Sequence, residues 1–336
     1  MDLNKYNIND YTLFFDQIFD DKIQKKDVKD FLLSINKANM PISAFLGAIS
    51  SLRKRMTHIN APKNALDVCG TGGDKLNTLN ISTAVSFVVA GCGVCIAKHG
   101  NKAISSNSGS ADIFQEIGIK FTQDKNLIEE SFRKNNLCFL YAPLFHDSLK
   151  IIKEVRIEID QATIFNFLGP LLNPANVNYQ IIGTSSHETM KKMAQIICQN
   201  QIELNQESQI YLVHGFDMMD EITLCDNSYL TICKNGKIIK ESVINPEDIG
   251  FKKIKLEKIQ GKDPKYNAKK LIDLLNGKKS PYRDIVIINA AYALMAVKKV
   301  NNISEAINLC HKSIDNKLAL QKLNNYLKIT SAKSYY

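Results

Sequence analysis

The chain has 336 residues, of which 45% are hydrophobic and 23% charged, a composition typical of a globular protein with one large or two ordinary domains. No apolar run approaches the ~20 residues of a membrane span, and the acidic, aromatic N-terminus lacks the basic and apolar regions of a signal peptide. The formal net charge is +9, but no basic run exceeds the three residues 53–55. We therefore expect a cytoplasmic enzyme with no membrane partner, whose spread-out lysines partly serve anionic substrates rather than forming a nucleic-acid interface.

Residues 1–63 are predicted to be helical. Apolar residues recur at helical spacing over 11–19 and 28–38, and a third amphipathic stretch covers 42–56 after Pro41. Residues 148–159 are predicted to form another helix, which is followed by the breakers Gly169-Pro170 and Asn173-Pro174. We expect this later segment to rejoin the N-terminal helices. The result is a discontinuous helical domain of residues 1–63 with an inserted segment of about 148–178.

From residue 64 onward, strand and helix patterns alternate, which is typical of a parallel sheet. Strands are predicted at 65–69, 94–97, 137–141, 180–183, 209–213 and 229–233, with a hairpin turn at Asn235-Gly236. Helices are predicted at 82–90, from 113, and at 126–135, 187–199, 267–276, 282–299, 304–310 and 314–327. The predicted fold class is α/β, with residues 64–147 and 179–336 forming a larger domain around a mainly parallel central sheet.

The eight cysteines do not form a metal-binding pattern. Only Cys92 and Cys95 are spaced as C-x-x-C, and they lie in the apolar stretch VVAGCGVCIAK. Small buried residues are therefore a better interpretation than a zinc or redox pair, and no disulfides are expected without a signal peptide.

The first predicted strand ends at a glycine-rich turn, Gly70-Thr71-Gly72-Gly73-Asp74. It is neither a Walker loop nor a dinucleotide fingerprint, because G-x-x-x-x-G-K-[ST] is absent and Lys75 stands where a third spaced glycine belongs. Three glycines after a strand let backbone N–H groups close around an anion, although the same pattern also occurs in tight connections that bind nothing.

Four polar residues then precede or begin the helix at 82–90: Thr78, Asn80, Ser82 and Thr83. One of them is enough for an N-cap. The others, with the free N–H groups of the first helical turn, predict a phosphate pocket.

A second polar loop follows the strand at 94–97. Lys98 stands at the strand end, and we interpret it as a charge partner for a phosphate rather than as a surface lysine. The Gly/Ser loop 105–112 adds hydroxyl groups before another helix. Two adjacent anion pockets predict a substrate with phosphates at both ends.

Asp220 and Glu221 are adjacent carboxylates after the strand QIYLVHG. Mg²⁺ is commonly held by one or two carboxylates together with substrate phosphates, so this pair is a candidate magnesium site. A solvated acidic pair in a loop is the alternative interpretation.

Together these stretches resemble the anthranilate phosphoribosyltransferase family. The matching segments, in the family's order and spacing, are DVCGTGGD, NIST, KHGN, SSNSGSAD, TIFNFLGPLLNPA, VHGFDMMDEIT and RDIVIINAA, and the resemblance spans about residues 10–328. The first three are shared with pyrimidine nucleoside phosphorylases, whereas FNFLGPLLNPA and D-x-x-DE narrow the match to the anthranilate branch and its close paralogues.

The resemblance implies a small helical domain beside a larger α/β domain, and a homodimer formed through the helical domain. It also implies that the amine of anthranilate displaces pyrophosphate from phosphoribosyl pyrophosphate, a step of tryptophan synthesis, with Mg²⁺ as cofactor and no catalytic acid or base. Residues implied to bind phosphoribosyl pyrophosphate are Gly70, Gly73, Asp74, Thr78, Asn80, Ser82, Thr83, Lys98, Ser105, Ser106 and Ser110. Those implied to bind anthranilate are Gly70, Asn101, His146, Arg156 and Pro170, and the implied magnesium ligands are Ser82, Asp220 and Glu221.

The chain departs from the family pattern at three positions. Family members usually have arginine where Ala162 stands, and glycine where Asp160 and Met218 stand. Two alternatives follow: a nucleic-acid-binding paralogue without this activity, favoured by the net charge and Ala162, and a nucleoside phosphorylase, disfavoured by the narrowing motifs. The retained Arg156 and the acidic pair favour the transferase.

Overall fold

The computed structural model of the protein describes residues 5–37, 39–103 and 107–331, and over this part of the chain it is a seven-stranded sheet covered by helices. The strands, in chain order, are β1 (Leu66–Gly70), β2 (Ile96–Gly100), β3 (Leu137–Tyr141), β4 (Tyr179–Gly183), β5 (Gln209–Gly215), β6 (Ser228–Lys234) and β7 (Lys237–Ile244). The α-helices are α1 (Ile8–Phe19), α2 (Lys25–Lys37), α3 (Ile42–Arg55), α4 (Ile81–Gly91), α5 (Ser110–Glu116), α6 (Lys125–Asn135), α7 (Lys153–Ile159), α8 (Phe165–Leu168), α9 (His187–Glu203), α10 (Pro264–Leu275), α11 (Pro281–Ala296), α12 (Ile303–Asp315) and α13 (Leu318–Ser331). No helix among the described residues is both long and apolar enough to cross a bilayer.

The strand order of the sheet reverses at β1. The strand order is β3-β2-β1-β4-β5-β6-β7, so β2 lies on one side of β1 and β4 on the other. The first five strands are parallel, whereas β6 and β7 are antiparallel and form the predicted hairpin. Such a switch point leaves a crevice at the carboxyl ends of the strands, where ligands bind in α/β proteins.

Helices bury both faces of this sheet. Neighbouring residues on a strand point to opposite faces: Ile181 of β4 joins a core with α4 and α11, whereas Ile182 joins a second core with α3 and α9. The near-continuous apolar character of β1 to β5 is therefore explained by burial on both sides.

The segment 148–178 packs on the N-terminal helices. Phe165 of α8 lies 6.3 Å from Phe15 and 6.2 Å from Phe19 of α1, measured between ring centroids. Two lysine–glutamate pairs join α2 to α7: Lys25 with Glu154, and Lys29 with Glu158 at 3.3 Å. These contacts hold α7 and α8 against α1 and α2.

The α/β class and the mainly parallel sheet are confirmed; the strand predicted at 137–141 has those bounds, and the other predicted strands are present with shifted ends. The single helix predicted over 148–159 is wrong. A 3₁₀ turn at Asp147–Lys150 and α7 are separated at Ile152, whose φ of −90° and ψ of 0° lie outside the helical region. Ile152 is buried in the core of the N-terminal helices, so tertiary packing overrides the helical periodicity here.

Two positions where the family usually has glycine adopt left-handed backbone conformations: Asp160 at φ +48° and Met218 at φ +74°. Asp160 ends α7, where a left-handed C-cap favours glycine. Met218 is exposed in the turn before the acidic pair. A side chain with a Cβ is strained in this region by about 1–2 kcal/mol.

We expect Met218→Gly to stabilise the fold by up to about 1 kcal/mol, the relief of left-handed strain less the added freedom of the unfolded glycine. The melting temperature is the measurement, with Met218→Ala as the matched control. The alanine variant retains a Cβ and should show no gain. A melting temperature for the glycine variant equal to that of the alanine variant would contradict this account.

Candidate active site

A cavity of about 680 Å³ opens at the carboxyl ends of the parallel strands. Its walls come from the loop after β1, the first turn of α4, the end of β2 with the loop that follows it, α7 and α8, and the turn after β5. Of the predicted site residues within the described part of the chain, those in its lining are Gly70, Gly73, Asp74, Thr78, Asn80, Ser82, Thr83, Lys98, Asn101, Ser110, Arg156, Asp220 and Glu221.

Two glycines make room for the acidic turn. Gly70 and Gly183 are paired in register at the ends of β1 and β4. A Cβ on Gly70 would lie 2.7 Å from Asp220 Oδ2, and one on Gly183 would lie 1.5 Å from the Asp220 carbonyl oxygen. Gly183 must therefore lack a side chain for the backbone of the turn after β5 to lie between the strand ends, and Gly70 leaves room for the Asp220 carboxylate.

Acidic groups concentrate at this point of the cavity. Burial raises the pKa of Asp220 to about 7, with the Asp74 carboxylate as the next cause. Burial also raises the pKa of Glu221 well above its ordinary value, followed by the charge of Asp220, while Lys98 opposes the shift. The donors are hard oxygens, and Lys98 balances only part of their charge, so the set fits a divalent cation such as Mg²⁺.

Glu221 also caps the helix that faces it. The Ser82 N–H in the first turn of α4 donates to Glu221 Oε1 at 3.1 Å. Asn80 occupies the N-cap position, but its side chain makes no capping bond. N-capping by Asn80 therefore does not explain why four polar residues lie between Thr78 and Thr83. The first turn of α4, which begins at Ile81, lines the cavity.

Lys98 is a buried cation at the floor of the cavity. Its Nζ donates to the Val68 carbonyl at 2.6 Å and to Ser82 Oγ at 3.3 Å. Burial lowers its pKa, and the nearby Asp67 carboxylate opposes that shift. Asp67 is itself buried and accepts from the His99 N–H at 3.1 Å, which ties β1 to the end of β2. The surface-lysine interpretation of Lys98 is thus excluded.

Arg156 lies on the opposite wall, on α7. Its guanidinium stands 5.7 Å from the Phe165 ring centroid. Burial lowers its pKa, and among the described residues no acidic side chain offsets that burial. Asn101 lies across from it on the exposed loop after β2, and its side chain accepts from the Lys102 N–H at 2.8 Å. A half-buried arginine without a carboxylate partner is suited to a substrate carboxylate.

Three predicted contacts look different in the structure. His146 and Pro170 do not belong to the cavity lining: the His146 ring lies behind His99, at 5.2 Å between centroids, and the Pro170 carbonyl accepts from Gln180 inside the protein. Thr83 lines the cavity, but its hydroxyl is buried and has no partner among the described residues. Ser105 and Ser106 lie outside the described residues.

The cavity also contains polar residues that the sequence analysis did not assign. They come from the loop ends of β2, from α8, from the start of α9 and from α10: His99, Lys102, Asn107, Ser108, Asn166, Ser185, Thr189 and Asn267. His99 stands in the quoted KHGN motif, and burial next to His146 lowers its pKa to about 3, so it is neutral. Asn166 could have been predicted from the sequence, because it is a polar residue within the otherwise apolar FNFLGP motif. No sequence signal pointed to Asn267, since only the fold brings α10 to this cavity.

Comparison with known proteins places the chain in a class and then in a family. Residues 62–320 match the glycosyl transferase family, a/b domain, and this range contains every residue of the cavity lining. A relative from Rhodopseudomonas palustris (strain BisB5), an anthranilate phosphoribosyltransferase, is 37% identical over 301 residues, which cover 90% of this chain and 87% of the relative. The chain therefore belongs to the anthranilate phosphoribosyltransferase family.

Two solved structures extend the similarity to the fold. Anthranilate phosphoribosyltransferase from Thermus thermophilus matches with a TM-score of 0.89 at 26% identity, over 97% of this chain and 96% of that one. The enzyme from Saccharomyces cerevisiae, in complex with PRPP and Mg, matches with a TM-score of 0.86 at 26% identity, over 97% of this chain and 93% of that one.

Proposed function

We propose that this protein transfers the phosphoribosyl group of phosphoribosyl pyrophosphate to the amine of anthranilate and releases pyrophosphate, a step of tryptophan biosynthesis. The observation that carries the proposal is the pairing, in one cavity, of a half-buried acidic cluster beside a helix N-terminus with an arginine that has no carboxylate partner among the described residues. The first feature suits a magnesium-bound diphosphate, and the second suits an aromatic acid. The family relationship supports both assignments.

The phosphate groups of the donor are assigned to the two loops and the helix between them. In the turn from Gly70 to Asp74, Gly72 and Gly73 leave the backbone open, since nothing lies within 4 Å of where a Cβ would stand on either residue. The first turn of α4 adds its N–H groups and partial positive charge, and Lys98 adds a full charge below them. Thr78, Asn80 and Ser110 stand around the same space with polar side chains.

Asp220, Glu221 and the Ser82 hydroxyl are the groups that would hold Mg²⁺. When bound, Mg²⁺ supplies charge neutralisation for the pyrophosphate leaving group. The residues of the chain supply orientation: Gly70 and Gly183 set the position of Asp220, and the Ser82 N–H holds Glu221.

Anthranilate is assigned to the part of the cavity lined by Arg156 and Asn101. The planar guanidinium can donate two hydrogen bonds to the substrate carboxylate, which orients the amine toward the ribose. An aryl amine is already neutral near pH 7 and needs no strong base. Catalysis is then mostly positioning of the two substrates and stabilisation of the departing charge.

The fluorescence of anthranilate provides the direct test. We expect its signal to fall when the purified protein is mixed with phosphoribosyl pyrophosphate and Mg²⁺, and not when either is omitted. Folded protein, verified by circular dichroism, that leaves the fluorescence unchanged would refute the proposed function. Addition of a pyrimidine nucleoside with phosphate is the control for the phosphorylase alternative.

We also propose that the helical elements, residues 1–63 and about 148–178, form a domain through which two chains assemble into a cytoplasmic homodimer. The two most exposed large hydrophobic side chains of the described residues support this: Ile157 of α7 at 68% and Leu13 of α1 at 64%. All eight cysteines are free thiols, as suits a reducing compartment.

Leu13→Arg should convert the dimer to a monomer, because a charge in the centre of an apolar interface is left unpaired. Size-exclusion chromatography with light scattering measures the mass. Ile239→Arg on the edge strand β7 is the matched control, since Ile239 is 54% exposed but lies far from the helical elements in the sheet order. A parent protein of monomeric mass, or dissociation by both variants alike, would contradict the proposed interface.

A further inference from the structure

A segment remote in sequence lies along the first phosphate loop. Residues 259–267, which we call the brace, connect a 3₁₀ turn to α10. The Leu79 N–H donates to the Ile259 carbonyl at 2.9 Å, and the Gly261 N–H donates to the Asn77 carbonyl at 2.8 Å. Thr78 and Gln260 form an antiparallel bridge between these bonds. The loop residues 77–79 are thereby held like a short strand.

The contact depends on a residue without a side chain. A Cβ on Gly261 would lie 2.6 Å from the Thr78 carbonyl oxygen and 3.0 Å from the Asn77 carbonyl oxygen. Both of these atoms belong to the backbone and cannot move aside as a flexible side chain could. Any other residue at position 261 must separate the brace from the loop.

A second connection runs from the brace through two asparagines. The Lys262 N–H donates to Asn267 Oδ1 at 2.8 Å, and Asn267 Nδ2 donates to Asn80 Oδ1 at 3.0 Å. Asn80 Nδ2 in turn donates to the Ser108 carbonyl at 2.9 Å. A backbone donor begins this chain and a backbone carbonyl ends it, so both amides can take only one orientation.

This chain of hydrogen bonds spans the cavity wall. Asn80 is the N-cap residue of α4, and Ser108 belongs to the loop after β2, so the two phosphate loops are joined at Asn80. The Asn107 N–H also donates to Asn77 Oδ1 at 3.2 Å, which links the loops a second time. Asn267 is buried and belongs to the cavity lining, yet both ends of its amide are occupied by protein groups.

We propose that Asn267 and Gly261 are positioning residues, and that the brace holds both loops in the conformation that receives the phosphorylated donor before it binds. The inference rests on the proposed function for the identity of that donor. Polar, glycine-rich loops lose conformational freedom when they close on an anion, and preorganisation removes much of that cost. The brace therefore acts chiefly on donor affinity: Asn101 shares the second loop, but Arg156, the charged partner assigned to anthranilate, belongs to α7, outside both loops.

Asn267→Ala is expected to raise the KM for phosphoribosyl pyrophosphate by about 10-fold, the effect of losing one buried hydrogen-bonding relay. The KM for anthranilate should stay within about twofold. Asn276→Ala, at the exposed C-terminal end of the same helix, is the matched control and should change neither constant. An equal rise in both KM values would show a merely structural role and overturn the proposal.

A double-mutant cycle tests whether Asn267 acts through Asn80. In an Asn80→Ala background, the further change Asn267→Ala should have little additional effect, because its contact is already lost. Additive effects would overturn the relay. Gly261→Ala should also raise the KM for phosphoribosyl pyrophosphate, by separating the brace from the loop. Gln260→Ala weakens the same contact without creating a cavity in the core, because it removes only the exposed side-chain hydrogen bond to the Leu76 carbonyl.

Binding of phosphoribosyl pyrophosphate with Mg²⁺ is also measured by thermal shift, which requires no turnover. A smaller shift for Asn267→Ala and Gly261→Ala than for the parent supports the brace even if anthranilate is not the acceptor. An undiminished shift for both variants overturns it. If the parent protein does not consume anthranilate, by contrast, only the proposed reaction is refuted.

Discussion

Replacement of Asp220 by asparagine together with Glu221 by glutamine is expected to lower Mg²⁺-dependent turnover by about 100- to 1,000-fold, because several kcal/mol of leaving-group stabilisation depend on a cation held there. Both side chains keep their size, and the new amide at position 221 retains an oxygen that can accept from the Ser82 N–H. The measurement is the rate of anthranilate consumption at saturating substrates across a Mg²⁺ titration.

The same double variant separates function from stability. Since burial raises the pKa of Asp220 to about 7, its ionised form is disfavoured in the folded protein, and the stability present below its ordinary pKa is lost as the pH rises through 7. A neutral amide removes that cost. We therefore expect the variant to melt no lower than the parent at pH 8 in the absence of Mg²⁺, although it is inactive.

The matched control is another adjacent acidic pair. Glu247 and Asp248 are exposed on the 3₁₀ turn Pro246–Ile249, outside the cavity. Glu247→Gln with Asp248→Asn should leave turnover and its Mg²⁺ dependence unchanged. If the Asp220/Glu221 variant remains fully active, or if both double variants lose activity equally, the assigned magnesium site is wrong.

Arg156→Ala is expected to raise the KM for anthranilate by about 10- to 100-fold, the usual effect of removing a charged hydrogen-bond partner. The KM for phosphoribosyl pyrophosphate should change little, because the phosphate loops lie on the other wall of the cavity. The KM for anthranilate of Arg156→Lys should lie between those of the parent and Arg156→Ala, since lysine keeps the charge but cannot form the planar two-bond contact. Initial rates with one substrate varied at a time give both constants.

Arg133 on the exposed face of α6 is the control for a lost arginine. Arg133→Ala should leave both KM values unchanged. A fall in kcat with an unchanged KM for anthranilate would instead place Arg156 at the reacting centre and contradict its assignment to the substrate carboxylate. The alanine at position 162, which lines the same wall, makes Arg156 the side chain on which this contact depends.

Much of the donor side could be predicted from the sequence because its signals are local. A glycine-rich turn after a strand, hydroxyls at a helix start and a lysine at the next strand end each follow from short-range rules, and the structure brings Gly73, Ser82 and Lys98 to one cavity. Parallel strands deliver their carboxyl ends to one edge of the sheet, so strand ends that are remote in sequence become neighbours. The alternation of strands and helices predicts that edge.

The acceptor side was less predictable, because it depends on packing between elements. His146 and Pro170 occur in or near family segments, yet the fold buries them behind His99 and Gln180. The helix predicted over 148–159 breaks at Ile152 because the side chain is buried there, and no periodicity rule contains that information.

The sequence by itself determined which chemical groups this protein has: the two phosphate loops, the acidic pair, and Arg156. Only the tertiary structure decided which of them share a site and how they are held. The space for Asp220 exists because Gly70 and Gly183 meet in register across β1 and β4, and the orientation of Asn80 is set by Asn267. The physical reason is that backbone contacts and directional hydrogen bonds between distant segments form only after the switch point at β1 places those segments side by side.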